Sequence, residues 1–279
     1  MNLQLEWIHS LQNVMRSPWL DAFFKALDAV DTEYSYLIIV CLTWYLFSRR
    51  IGVRLFYVFI ISWILNDLIK SYTQLPRPCQ IDPLVAVVCH GSYSFPSGAA
   101  QSAAFLTGIV FIECQKTYCR WLMLVFAFLL CFSRVYLGVH YPTDIIGGLI
   151  VGSALVLLYS RGFTHFEKKW KMAAVAFPFF VLFSGFLFPE WPSWIVEVFF
   201  LTLGVTAGLL TGEKIPISWC NRVRVRIVQT FFAILGLGVL FVAIHFYPQV
   251  RLLWDFCVGY WLSFFGGWVI AKITRKFHF

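Results

Sequence analysis

Nine apolar runs divide the 279-residue chain, at about residues 34–48, 52–69, 97–114, 119–138, 143–160, 172–189, 193–211, 225–246 and 252–271. Most approach the roughly 20 residues a helix needs to cross a hydrocarbon core. A backbone at lipid depth must satisfy its own hydrogen bonds, and a helix does so within one segment. A composition that is 60% hydrophobic, with mean hydropathy +0.75, excludes a soluble domain with a large core. The expectation is therefore an all-α fold, a polytopic membrane helix bundle of about nine transmembrane helices. Residues 1–32 read differently. Trp19, Leu20, Phe23, Phe24 and Leu27 recur at helical spacing, with Asp21, Lys25 and Asp28 elsewhere, and Ser17-Pro18 suits a helix start. This is an amphipathic N-terminal segment that lies on the membrane surface or packs against the bundle. Its acids interrupt any apolar core of a cleavable signal.

The loops between the runs are asymmetric. Most of the 22 Lys and Arg residues fall on one side, among them Arg49, Arg50, Arg54, Lys116, Arg120, Arg161, Lys171, Lys214 and Arg226. The positive-inside rule puts that side and the C-terminus in the cytoplasm and the N-terminus outside. The net charge of +8 is spread over these short loops, with no basic helix or binding motif, which argues against nucleic acid as a partner. The chain reads as one domain, without internal repeats or a separate soluble region.

Chemistry concentrates between the fourth and fifth runs, in Ser133-Arg134-Val135-Tyr136-Leu137-Gly138-Val139-His140-Tyr141-Pro142-Thr143-Asp144. Ionisable groups beside membrane spans are usually functional. Pro142 suits the first turn of a helix, which leaves His140 just before it and Asp144 in the first turn, able to reach back to the imidazole. That is the pairing of a reactive histidine with an orienting carboxylate. Arg134 adds a planar, permanently charged fork matched to phosphate oxygens. The bland alternative is a snorkelling arginine with a capping aspartate.

Two other stretches belong with it. Lys70 is followed after six residues by Arg77-Pro78, and Phe95-Pro96-Ser97-Gly98-Ala99 opens a run of small residues. Together the three blocks resemble the signature motifs of the type 2 phosphatidic acid phosphatase (PAP2) superfamily. The first and third agree at every signature position. The second departs at one, because Ala99 stands where that family has a histidine. The resemblance implies a six-helix catalytic core at residues 33–165, with 166–279 as additional transmembrane helices and 1–32 as the interfacial segment. It further implies that Lys70, Arg77, Ser97, Gly98 and Arg134 hold phosphoryl oxygens, and that His140 attacks phosphorus with Asp144 fixing its tautomer. The N–H groups at the start of the helix near Gly98 suit an anion independently of any family. The family's second-motif histidine protonates the departing alkoxide, and Ala99 cannot. Of the nearby groups, His90 is either a replacement acid or a solvated loop histidine, and Gln101 does not titrate. Ala99 itself reads either as an engineered substitution made to trap substrate in an inactive form or as the mark of a natural pseudo-enzyme, and the intact remainder favours the first.

The implied function is an integral-membrane phosphatase acting on a phosphorylated lipid: phosphatidate, a sphingoid-base phosphate, phosphatidylglycerophosphate or undecaprenyl pyrophosphate. Membrane lipids are the other expected partners. A sugar-phosphate phosphatase like glucose-6-phosphatase and a catalytically dead lipid-phosphate binder or transporter are the alternatives. The resemblance and the loop charges place the site on the extracytoplasmic face of an inner membrane. Cys79 and Cys89 share the 71–96 loop on that face and form either a disulfide or two unpaired thiols. No Cys/His cluster has zinc-ligand spacing, so neither metal nor other cofactor is expected. Finally, Gly98, Ala99, Ala100, Ser102, Ala103, Ala104 and Gly108 give the third span a smooth surface, and Gly148 and Gly152 do the same for the fifth. Such faces allow close helix approach, here between the spans that begin at the second and third motifs.

Overall fold

The structure, a computed structural model, describes residues 3–214, 223–268 and 272. The loop at 215–222 and the C-terminal residues, on which part of the topology reading rests, lie outside the described residues. Among the described residues there is no strand. The helices are α1 (Leu3–Met15), α2 (Pro18–Ala29), α3 (Glu33–Leu42), α4 (Arg49–Thr73), α5 (Pro78–Ile81), α6 (Gly98–Glu113), α7 (Thr117–Tyr136), α8 (Pro142–Leu157), α9 (Phe163–Ser184), α10 (Trp194–Lys214), α11 (Val223–Phe246) and α12 (Arg251–Tyr260).

Five stretches are long and apolar enough to cross a membrane: Arg49–Ile81, Thr117–Tyr136, Pro142–Arg161, Trp194–Lys214 and Arg226–Phe246. Three other expected spans appear as the shorter apolar helices Glu33–Phe47, Gly98–Glu113 and Lys171–Leu187. The ninth run starts in α12, continues through a π turn at Trp261–Phe265 and then reaches residues outside those described.

The chain forms two compact units, residues 1–36 with 57–164, and residues 37–56 with 165–279. Residues 37–56, read from the sequence as part of the catalytic core, thus group with the later helices, while the N-terminal segment groups with the motifs. Within the second unit, Tyr45 donates its hydroxyl to Leu262 O at 2.9 Å and Thr206 Oγ1 donates to Ala174 O at 2.8 Å.

The first unit holds all three motifs. Its N-terminal segment folds as the cap residues require: Ser17 Oγ accepts from Leu20 N at 3.3 Å, and Pro18 occupies the first helical turn. The segment packs on α7. Gln12 Nε2 donates to Val85 O (2.9 Å) and Tyr136 O (2.7 Å), the Tyr136 hydroxyl donates to Asp21 Oδ1 (2.6 Å), and Phe24 joins a core of Tyr136, Leu137 and Val139. Of the two arrangements expected for residues 1–32, this is the one against the bundle.

Helices α6 and α8 meet along their small-residue faces. A Cβ on Gly148 would lie 2.4 Å from Ser97 O, and one on Gly152 would lie 2.3 Å from Gln101 O. Helix axes this close leave no space for any larger residue. The contact also aligns the two helix starts, where Ser97 N donates to Asp144 O at 3.0 Å. Replacing Gly152 with Ile is therefore expected to push α6 from α8 at a cost of about 1–3 kcal/mol. A lowered thermal midpoint in detergent measures it. Gly238→Ala in α11, where an added Cβ meets nothing within 4 Å, should not lower the midpoint. Equal effects of the two substitutions would contradict the packing argument.

Candidate functional site

A cavity of about 400 Å³ opens within the first unit. Lys70 reaches it from the last turn of α4, Arg77 from the start of α5, Gly98 and Ala99 from the first turn of α6, Arg134 from the last turn of α7, and His140 from the turn before α8. The structure thus brings six of the expected site residues to one surface. Ser97 and Asp144 are buried and do not line it. Ser97 Oγ caps α6, accepting from Ala100 N at 3.4 Å.

The turn carrying His140 depends on Gly138, whose φ of +71° is left-handed and whose missing Cβ makes room for Val85 O. A glycine just past the end of a helix is a recognisable stop signal, although its role in bringing the 78–89 loop close could not be read from it. That loop is strapped down here: Cys79 N donates to Gly138 O (3.0 Å), Val87 N donates to Leu137 O (3.1 Å), and a disulfide joins Cys79 to Cys89.

Asp144 Oδ2 accepts from three donors: Tyr141 N at 2.8 Å, Ser94 Oγ at 2.5 Å and His140 Nδ1 at 3.4 Å. On the other edge of the imidazole, Arg77 Nη1 lies 3.1 Å from Nε2. A guanidinium only donates, so Nε2 carries a lone pair and the ring proton sits on Nδ1, toward the carboxylate. Burial pushes the His140 pKa down, the charges of Arg77 and Lys70 add to this, and the Asp144 carboxylate opposes it. The ring is held neutral, with its lone pair on the nitrogen that accepts from Arg77. Arg77 is fixed in turn: Nε donates to Ser92 O (2.7 Å), Nη2 to Ser92 Oγ (2.8 Å) and Nη1 to Val139 O (2.9 Å).

Arg134 is buried and differently occupied. Nη1 donates to Asp28 Oδ1, and Asp31 Oδ2 lies 3.4 Å from Nη2 as an ion pair without hydrogen-bond geometry. Nε and Nη2, the two atoms of the guanidinium fork, have no hydrogen-bond partner. Burial would raise the Asp28 pKa, but hydrogen bonds and charge from His90 and Arg134 hold it below the ordinary carboxylate range. Asp28, Asp31, Tyr36 and Ser92 line the cavity, and Ser94 supports it; none was picked out as a site residue in the sequence. Asp28 and Arg134 are 106 residues apart, and nothing local to either marks the pairing. Among the described residues no group of three His, Cys, Asp or Glu side chains is placed to hold a metal ion.

Chemically, this is a polar chamber with a neutral imidazole and three cationic side chains, suited to a tetrahedral oxyanion. Arg134→Lys keeps the charge but loses the fork. Titration calorimetry should show inorganic phosphate bound about tenfold more weakly, about 1.4 kcal/mol. Unchanged binding would mean that the fork is not the anion site.

Residues 51–168 match the PAP2 superfamily model. The chain is 27% identical over 226 residues to a dihydrosphingosine 1-phosphate phosphatase of Saccharomyces cerevisiae, covering 74% of this chain and 55% of that one. It is 29% identical over 171 residues to phosphatidylglycerophosphatase B of Bacillus subtilis, covering 57% and 82%. It is 32% identical over 114 residues to an undecaprenyl-diphosphatase of Sulfolobus acidocaldarius, covering 40% and 54%. The chain therefore spans about half the length of the first and third of these relatives. In fold it resembles the crystal structure of LpxE from Aquifex aeolicus, with a TM-score of 0.52 and 23% identity, over 58% of this chain and 96% of that one.

Proposed function

We propose, from the premise that residues 51–168 are a PAP2 superfamily domain, that this protein is a membrane phosphatase that hydrolyses a phosphorylated lipid through a phosphohistidine on His140. The observation that carries the reading is the orientation of that imidazole. Its proton is committed to Asp144, its lone pair is turned to Arg77, and it lines a cavity together with Lys70 and Arg134, whose Nε and Nη2 carry no hydrogen bond. Lipid substrates are favoured because the relatives named above are all named for phosphorylated lipids.

In this reading the phosphoryl oxygens take the Nε and Nη2 donors of Arg134, the Lys70 ammonium and the backbone N–H groups at Gly98. An entering oxygen also draws Arg77 Nη1 away from Nε2, which frees the lone pair for in-line attack. Asp144 stabilises the imidazolium character that develops as the bond to phosphorus forms. The cationic side chains neutralise the phosphoryl charge, so the proposed chemistry is metal-independent. Ala99 donates no proton, so turnover of alkyl phosphates depends on an acid elsewhere in the cavity. The same reading places the nine apolar runs across an inner membrane, with the site and the Cys79–Cys89 bridge on the extracytoplasmic face and the C-terminus in the cytoplasm.

Phosphate release from a panel of lipid phosphates, with sugar phosphates alongside, tests the function. His140→Ala should abolish release, and acid quench with a ³²P-labelled substrate should label the wild type on His140 but not the variant. Release that persists at the wild-type rate in His140→Ala would remove the nucleophile assignment. For topology, single cysteines at positions 80–88 should be labelled by an impermeant maleimide in intact cells, and cysteines at 115–117 only after permeabilisation. Labelling of both sets from outside would overturn the orientation.

A further inference from the structure

We infer that His90 is the catalytic acid that protonates the leaving group, in the place that Ala99 leaves without one. The inference rests on the phosphatase reading above and extends it.

An alkoxide leaves phosphorus readily only if it is protonated as the bond breaks. The cavity restricts which group can do this. Arg77 and Arg134 cannot lose a proton under physiological conditions. Asp28 and Asp31 are paired as carboxylates with Arg134, Tyr36 donates its hydroxyl to Asp31, and Glu33 lies on the exposed rim. Lys70 is required as a cation for the phosphoryl oxygens. Among the described lining residues this leaves His90, of the one residue type that gives and takes a proton near neutrality.

Its placement is not that of a solvated loop histidine. His90 Nε2 lies 3.1 Å from Asp28 Oδ1, the same carboxylate oxygen that bonds Arg134. The backbone around it is pinned on both sides. Cys89 is held by the bridge to Cys79, the His90 carbonyl accepts from Gln80 Nε2 at 3.2 Å, and Ser92 is gripped by Arg77. Asp28 therefore does for His90 what Asp144 does for His140, and Arg77 ties the strand of chain carrying one imidazole to the other. The His90 side chain is 42% exposed.

The step balances with water as the only co-reactant. His140 Nε2 bonds to phosphorus while the P–O bond to the alcohol breaks. The departing oxygen keeps the electron pair and takes a proton from the His90 imidazolium, which becomes neutral. Water then attacks the phosphohistidine and gives its proton to His90. The P–N bond breaks with its pair returning to Nε2, and inorganic phosphate leaves with both histidines restored.

The test compares kcat for a lipid alkyl phosphate and for p-nitrophenyl phosphate, whose leaving group needs little protonation. The full-length proteins are wild type, His90→Gln, Ala99→His and the double variant. His90→Gln should lower alkyl turnover by about 10²–10⁴-fold and aryl turnover by less than about tenfold, with little change in KM. Because position 99 lines the same cavity, Ala99→His should restore alkyl turnover in the His90→Gln background. Equal losses on both substrates would overturn the acid role in favour of a binding one. A large gain from Ala99→His in the wild type, with no loss from His90→Gln, would show instead that the chain lacks a working acid. In those outcomes the phosphatase reading survives; phosphate release by none of the four proteins from either substrate would overturn both.

Discussion

One carboxylate oxygen joins the parts of this site. Asp144 Oδ2 accepts from the backbone at the start of α8, from Ser94 in the loop that leads into α6, and from the His140 imidazole. Moving any one of these donors disturbs the other two. The backbone of the same residue accepts from Ser97 N, so α6 and α8 begin from a shared point. The small-residue contact between these helices then matters for the site as well as for packing. Gly148 and Gly152 keep the two helix starts close enough for one residue, Asp144, to bond both.

Charge is the second constraint. Arg77, Arg134 and Asp144 are each at most 3% exposed, and buried charges are tolerated when paired and hydrogen-bonded. The protein meets this with different partners for each cation. Arg77 is spent on carbonyl, hydroxyl and imidazole acceptors, all neutral, which leaves its charge available to an incoming oxyanion. Arg134 is balanced by Asp28 and Asp31, yet the balance is lopsided: one edge of the guanidinium is bonded and the fork is not. The pair of acids offsets the cost of burying the arginine and still leaves two donors without a hydrogen bond.

The N-terminal segment is consequently part of the site. Asp28 and Asp31 stand where α2 ends and α3 begins, and they reach Arg134 only because α1 and α2 are fixed on α7 through Gln12, Asp21 and Phe24. His90 depends on the same segment through Asp28. An amphipathic stretch that reads as a simple membrane-surface or packing element therefore also sets the electrostatics of a cavity built from the three motifs.

The sequence by itself determined the helical class and the residues of the cavity that lie near one another in the chain. Apolar runs of near-membrane length leave the backbone little alternative to helices, and Pro142 with Asp144 four residues after His140 places the carboxylate beside the imidazole through local helix geometry alone. Glycines at 148 and 152 likewise announced a close helix contact, although not its partner's atoms. Among the described residues five stretches are long and apolar enough to cross a membrane, and three further runs form shorter helices, because hydropathy marks where apolar residues are and not how far a helix runs. Only the tertiary structure decided what faces Arg134 and His90. Those pairings cross 106 and 62 residues, and each is a hydrogen bond between side chains whose types occur throughout the chain. Local pattern carries no information about such contacts, since they exist only once α2 is laid against α7 and the disulfide-closed loop is folded over both.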